Sequence, residues 1–376
     1  MNQPSRFERL ALIQKETQVD AFLFTTPSTV KWLSNYFYNF ETGPSPFQLL
    51  PAALIVQPGR TMYLLAADNE TIPAFAPGFE MTIVPYASYV YEKPLDFTQQ
   101  FLDKLYGIIS RHNIKKAHLG IESGSLPLAV FQFLTRQFPQ MKFTDVTREI
   151  AFIKAFKDRD EIDCIRAASH LCDIGQTALL KHAQEGLTEL GLFSLIRLEM
   201  ESSAGTRIPV MADLVSGTRT ATGGGIPTNK VIQPGDLILS DITPCLNGYW
   251  GDSCNTVVVG TANSSQREAF KRVNEALHIA IQAIRPGVKA MEIDSLMRKH
   301  IGNFPHHGGH GVGTQYHEEP RIVPCNAMEL VPNMVIALEP GMYNPDFGIR
   351  LEHLVLVTET GCEILTKFQH CFELIS

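Results

Sequence analysis

The sequence has no Cys-x-x-Cys pair, and its seven cysteines (164, 172, 245, 254, 325, 362 and 371) are an odd number. A thiolate zinc knuckle is thereby excluded and a disulfide framework is unsupported, so reduced, buried thiols in a cytoplasmic protein are expected. No stretch approaches the ~18 uninterrupted apolar residues that a membrane helix needs, and Met1–Arg9 leads into an amphipathic segment rather than a signal-peptide run. Positive charge is scarce: 32 Lys and Arg face 39 Asp and Glu, for a net charge of −7. Neither a phosphate backbone nor an anionic membrane would find a basic field here, so nucleic acid and membrane partners are not expected. Apolar material is plentiful, with 44% hydrophobic residues including 22 Phe. A globular chain of 376 residues exceeds the usual domain of ~100–150 residues two- to threefold, which predicts two folded units.

The first ~150 residues alternate β-rich runs with helical ones, an α/β pattern. Strands are expected at Asp20–Phe24, Ala53–Val56 and Met62–Leu65, a helix at Phe97–His112, and a hairpin around Gln57-Pro58-Gly59-Arg60. From Ile150 the texture changes to Lys154, Lys157, Asp158, Arg159, Asp160 and Glu161, opening a helix with Ile162, Ile165, Ala168 and Cys172 on one face. The expected domains are 1–150 and 151–376, with the boundary segment near 148–158. In the second part, Ser265 with Glu268 reads as a capping box for a helix that stops at Pro286-Gly287. Strands are expected at Leu237–Ile242, Tyr249–Val259, Met334–Glu339 and Arg350–Val357.

The chemistry lies inside those strands. Asp241 and Asp252 flank Pro244-Cys245-Leu246-Asn247-Gly248, a hairpin signal. With a Leu246-Asn247 loop the two aspartates are directly opposed; with an Asn247-Gly248 loop they are diagonal neighbours on one face, so either register brings them together. A second hairpin pairs Glu339 with Glu352 in the same way. Four carboxylates in apolar strands raise one another's pKa and call for cations. Asp236, in a Pro-Gly-Asp turn, is expected to be solvated instead. Between the hairpins, His306-His307-Gly308-Gly309-His310-Gly311-Val312-Gly313, followed by His317, puts an imidazole in a loop with little side-chain bulk. Oxygen-rich ligands with one imidazole and no thiolate suit Mn, Co, Fe or catalytic Zn. Two divalent ions balance four carboxylates, and a bridging hydroxide of lowered pKa would be the nucleophile.

These residues resemble the creatinase, Xaa-Pro aminopeptidase, prolidase and methionine aminopeptidase group, over nearly the whole chain. Asp20–Thr25 with Trp32–Tyr36 looks like the creatinase-type amino-terminal domain. Asp241, Asp252, Gly309–Gly313, Glu339-Pro340-Gly341 and Arg350-Leu351-Glu352 look like the pita-bread catalytic domain. The resemblance implies an α/β (α+β) chain in which an amino-terminal creatinase-like domain precedes a pita-bread metallopeptidase domain, assembled as a homodimer. It implies that Asp241 chelates one metal, Asp252 and Glu352 bridge, and His310 and Glu339 bind the second, Glu339 also handling the proton of the attacking water. His306 and His317 would contact substrate, and Arg350 would buttress a ligand carboxylate or meet the substrate's carboxyl end. Two divalent ions are implied, Mn first, with Co, Zn or Fe as alternatives.

The activity implied is hydrolysis of Xaa-Pro bonds in dipeptides or short peptides, as a dipeptidase or aminopeptidase. One departure stands out. Relatives carry a histidine shortly before a Pro-Thr pair, and here that position falls on Gly224, ahead of Pro227-Thr228. The pocket is therefore expected to lose a donor and gain room, which opens the alternative of a small non-peptide amide or cyclic amidine substrate. An inactive binding scaffold is the remaining alternative, disfavoured by five intact ligand positions. His307 reads as a loop or supporting residue, Cys254 as core filler and His353 as pointing away from the metal face.

Overall fold

The computed structural model describes residues 4–37, 50–57, 59, 61–68, 81–112 and 114–374. They form two compact units, Met1–Ile153 and Lys154–Ser376.

The first unit contains α1 (Arg6–Thr17), β1 (Ala21–Phe24), α2 (Pro27–Ser34), β2 (Ala53–Gln57), β3 (Thr61–Ala67), β4 (Met81–Tyr86), α3 (Phe97–Arg111), β5 (His118–Ile121), α4 (Leu128–Gln137), β6 (Lys142–Asp145) and α5 (Thr147–Lys154). Its six strands make one sheet in the order β4-β3-β2-β1-β5-β6. β1 is apolar throughout because it is buried on both faces: Ala21 and Leu23 join Phe101, Leu105 and Leu134, while Phe22 and Phe24 join Trp32 and Ile150. β2 and β3 pair as the expected hairpin, with Gln57 opposite Thr61. Pro58 and Arg60 of its turn lie outside the described residues.

The second unit opens with α6 (Arg159–His182), capped by Asp158 and Glu161, and α7 (Glu189–Ala204). Then come β7 (Val210–Ser216), a 3-10 turn (Gly217–Thr222), β8 (Leu237–Leu246), β9 (Tyr249–Trp250), β10 (Ser253–Val258), α8 (Ser264–Ala283) and α9 (Ala290–Ile301). The chain ends with β11 (Gly309–Gly311), β12 (Glu318–Ile322), β13 (Val335–Leu338), β14 (Gly341–Tyr343), β15 (Gly348–Arg350), β16 (His353–Val357) and β17 (Cys362–Ile364). One sheet runs β10-β8-β7, a second β12-β11-β13-β16-β17, and β14-β15 is a separate ribbon.

Each large sheet is backed by a helix pair. Ile238 and Ile242 of β8 pack with Leu179 and Ile196 of α6 and α7. Ile336 and Leu338 of β13 pack with Val273, Leu277 and Met297 of α8 and α9. Because side chains alternate along a strand, Asp241 falls on the face of β8 turned away from its helix pair, and Glu339 follows Leu338 just past the end of β13. The helix cap of α8 differs from expectation: Asn263 and Gln266 form the capping box, not Ser265 and Glu268. Asn caps as well as Ser, and the cap sits two residues earlier than the Ser-x-x-Glu spacing suggests.

Glu318 at the start of β12 is buried against two lysines, with its carboxylate 2.6 Å from Lys157 Nζ and 3.3 Å from Lys154 Nζ. It also accepts from Thr314 Oγ1 and the Gln315 N–H, which shapes the loop before it. Burial would raise its pKa, but the two ammonium groups overcome that and hold the carboxyl at about 2. Glu318→Gln leaves two buried cations poorly compensated and should cost about 3–5 kcal/mol in urea unfolding. Since the folded carboxyl titrates below its ordinary 4.5, this contribution is complete above that pH and lost as pH falls toward 2. The difference between wild type and Glu318→Gln should therefore shrink on acidification.

Candidate metal centre

Asn247 and Gly248 both have positive φ, 52° and 79°, which is the tight hairpin turn this dipeptide favours. The turn sets the register: Cys245 opposes Trp250, and Asp241 opposes Cys254. Continued along the strands, that register puts Asp252 opposite Thr243, two residues from Asp241 on the same face. Thr243 Oγ1 donates to Asp252 Oδ1 at 3.0 Å. The strand is interrupted here, since Asp252 lies between β9 and β10.

The second hairpin is interrupted in the same manner. Leu338 opposes His353 and Gly341 opposes Arg350, so Glu339 and Glu352 face one another across the gap. Their amides bond elsewhere: the Glu339 N–H donates to Gly308 O at 3.0 Å and the Glu352 N–H to Cys254 O at 2.9 Å. The second of these joins the two hairpins. His310, in the middle of β11, opposes Ala337.

One ligand atom each from Asp252, His310 and Glu352 lies within 4.8 Å of the others, and all three residues are buried. His310 Nε2 stands 3.6 Å from Asp252 Oδ2 and 3.5 Å from Glu339 Oε1. Asp241 is held by Arg350, whose Nη2 donates to its Oδ2 at 2.5 Å, while Arg350 Nη1 donates to Gly223 O at 2.7 Å. Arg350 Nε is 4.0 Å from Glu339 Oε2.

The electrostatics of this set call for positive charge. Burial pushes the Asp241 carboxyl up to about 6, with Glu339 and Asp213 adding to the rise against Arg350. Burial and the neighbouring carboxylates push Asp252 and Glu352 well up. Burial lowers His310 to about 4, so its imidazole is neutral and free to ligate. Glu339 Oε1 and Glu352 Oε2 are buried without hydrogen-bond partners. Unpaired carboxylate oxygens beside a neutral imidazole are the donors a divalent cation takes, so these residues fit a metal.

Three residues of the site are not picked out in the sequence: His307 is read there only as a loop or supporting residue, and Tyr343 and Asp213 not at all. His307 Nδ1 lies 2.9 Å from Glu339 Oε1, closer than His306, whose Nδ1 is 3.9 Å from Oε2. The two atoms are near enough to attract but misaligned for a hydrogen bond, and Glu339 raises the His307 pKa. His306 Nε2 bonds Tyr343 Oη at 2.8 Å, and the Glu-Pro-Gly-Met-Tyr spacing could have suggested that tyrosine. The His317 ring is 4.3 Å from that of His310. Asp213, opposite Asp241 in β7, is the third. A Cβ on Gly224 would lie 2.0 Å from Asp213 Oδ2, so the expected extra room is absent: the Asp213 carboxylate occupies it. His353 packs on Phe368 and His370 and bonds Thr366, and Asp236 is paired with Lys230 at 2.7 Å.

Residues 163–359, more than half of the chain, match the model of metallopeptidase family M24, and residues 6–153 match the creatinase/prolidase N-terminal domain. A Xaa-Pro dipeptidase of Pyrococcus furiosus is 29% identical over 369 residues, covering 96% of this chain and 97% of that protein. The crystal structure of the prolidase from Pyrococcus horikoshii superposes with a TM-score of 0.80 at 27% identity, over 98% of this chain and 99% of that one. An X-Pro aminopeptidase from Thermotoga maritima gives a TM-score of 0.81 at 26% identity, over 98% of this chain and all of that one.

Divalent cation binding should release protons, because Asp241, Asp252 and Glu352 hold them more tightly when no cation is present. Calorimetry of Mn2+ binding in buffers of different ionisation enthalpy should show net release, with affinity weakening as pH falls below about 6. Asp252→Ala and Glu352→Ala should each lose at least tenfold in Mn2+ affinity, on the order expected for a ligand or its support.

Proposed function

The chain belongs to metallopeptidase family M24, and from that premise we propose that it hydrolyses Xaa-Pro bonds in dipeptides or short peptides. The observation carrying this reading is the buried Asp252–His310–Glu352 group, whose ligand atoms lie within 4.8 Å of one another. Asp252, His310 and Glu352 would hold metal together with Glu339 and Asp241, as two divalent ions, manganese first. Bound metal supplies Lewis acidity, acidifying water and polarising the scissile carbonyl.

The chain's own groups do the rest. Burial would raise the Glu339 carboxyl, but His307, His310 and Arg350 outweigh it and hold it at about 2. Glu339 is thus ionised at neutral pH and takes the proton of the attacking water. His307 stands beside it at 2.9 Å, and the Glu339 carboxylate in turn raises the His307 imidazole. Burial lowers His306 to about 4, and its bond to Tyr343 Oη fixes the ring. His306 and His317 then serve as contacts to the substrate carbonyl, where a well-placed donor contributes a few kcal/mol. Arg350 orients Asp241 and spreads its charge.

A proline nitrogen offers no N–H, so selection rests on shape and on donors to the carbonyl. The non-peptide amide alternative rested on space at Gly224, and the Asp213 carboxylate fills that space. A cytoplasmic location is supported by seven free thiols. The homodimer implied by the resemblance remains part of the proposal. No helix among the described residues is long and apolar enough to cross a membrane.

With Mn2+, the protein should turn over Xaa-Pro dipeptides or Xaa-Pro-Yaa tripeptides and leave the Xaa-Ala counterparts nearly untouched. Activity confined to non-peptide amides would reject the reading. Glu339→Gln should lower kcat by roughly 10²–10⁴ as expected for loss of a general base, with the circular dichroism spectrum unchanged.

A further inference from the structure

Asp213 is the carboxylate at this site that the metal and proton roles do not use. It stands opposite Asp241 in the β7–β8 ladder, so its side chain shares the face of the site, one strand spacing of about 4.8 Å farther out. Its side chain is 41% exposed, against 16% for Asp241. The Gly223–Gly225 loop lies over it, and a side chain at 224 would collide with the carboxylate. β7 holds the loop in place through the Leu214 N–H to Gly225 O bond of 3.0 Å.

One guanidinium serves both aspartates: Arg350 Nη2 donates to Asp241 Oδ2 at 2.5 Å and to Asp213 Oδ2 at 3.4 Å. Arg219 is bound to Glu189, Thr228 Oγ1 and Ile226 O. Asp213 is thus the more weakly paired and the more exposed of two carboxylates sharing one cation, at the edge of the site. A carboxylate so placed favours a cation on an incoming molecule and repels an anion.

We propose that Asp213 sets a preference for substrates whose residue before proline carries a cationic side chain, lysine or arginine. The charged termini and the uncharged proline ring are common to all Xaa-Pro dipeptides, so discrimination by charge among them falls to the side chain of the residue before proline. The distance of one strand spacing from Asp241 suits a group at the end of a side chain rather than one at the metals. This inference rests on the Xaa-Pro reading and adds a substrate class to it.

The test compares Lys-Pro, Nε-acetyl-Lys-Pro and Glu-Pro on the Mn2+-loaded full chain. Acetylation removes the charge and keeps the stem. Wild type should show kcat/KM for Lys-Pro about two- to fivefold above the acetylated peptide and higher still above Glu-Pro, as a partly screened ion pair supports, and the ratio should fall with added NaCl. Asp213→Asn should bring the Lys-Pro to acetyl-Lys-Pro ratio close to one. A purely structural role would lower all three peptides together and leave the ratio where it was. Equal wild-type values for the first two peptides, or an unchanged ratio in Asp213→Asn, would overturn the inference. If the variant fails to fold, the wild-type ratio and its salt dependence decide. Hydrolysis of none of the peptides would reject the Xaa-Pro reading. Calorimetric binding of the same peptides to the metal-loaded protein then decides the role of Asp213, with equal affinities overturning it.

Discussion

Crowding of like charge is the constraint on which the catalytic unit depends. Asp252, Glu339 and Glu352 are buried and Asp241 nearly so, with one buried arginine among them. Carboxylates held this way repel one another and lose hydration, so the arrangement persists only where strong packing holds it and cations offset it. Each sheet is braced by its helix pair through Ile238 and Ile242 on one side and Ile336 and Leu338 on the other. Those apolar residues alternate with the acids along the strands. The same alternation that builds the two cores thus turns the charges toward each other.

The four carboxylates are not equivalent. Arg350 takes Asp241, His307 stands against Glu339, and Asp252 and Glu352 are left with a neutral imidazole. The directions of their pKa shifts follow this division, with Glu339 held down and the other three raised. Glu339 is thereby kept ionised, while the other three hold a proton more tightly than an ordinary carboxyl does. Different neighbours have given chemically alike groups different acidities.

Much of this was legible in the residues because hairpin arithmetic is strict. Asn247-Gly248 is one of the two turns the residues allow, and its formation makes Asp241 and Asp252 diagonal neighbours. What the arithmetic missed lies where backbone regularity fails or where a site borrows from a distant strand. Alternation puts His307 out of phase with His310, yet both rings reach Glu339 because the chain has not yet entered β11 at residue 307. The sequence places Asp252 and Glu352 inside unbroken strands and Glu339 at the end of one, and all three fall just outside the strands. Asp213 belongs to no motif in the sequence. Only the three-dimensional pairing of β7 with β8, together with a glycine 11 residues on, gives it meaning.

The amide of Glu352 donates to Cys254 O and that of Glu339 to Gly308 O, so each glutamate is tied by its backbone to a strand other than its own hairpin partner. Gly308 leads into β11, the neighbour of β13 in the same sheet, whereas Cys254 belongs to β10 of the other sheet, so Glu352 is the glutamate built into the seam between the sheets. Exchange of the Glu352 amide proton with solvent requires the seam to part there, which also spreads the carboxylates. Hydrogen exchange at this position consequently reports how often the sheets separate locally, independent of the slower loss of the whole fold. A cation gripped by the side chains would clamp the seam from within, and protection at this amide would rise with occupancy even if the helices behind it exchanged as before.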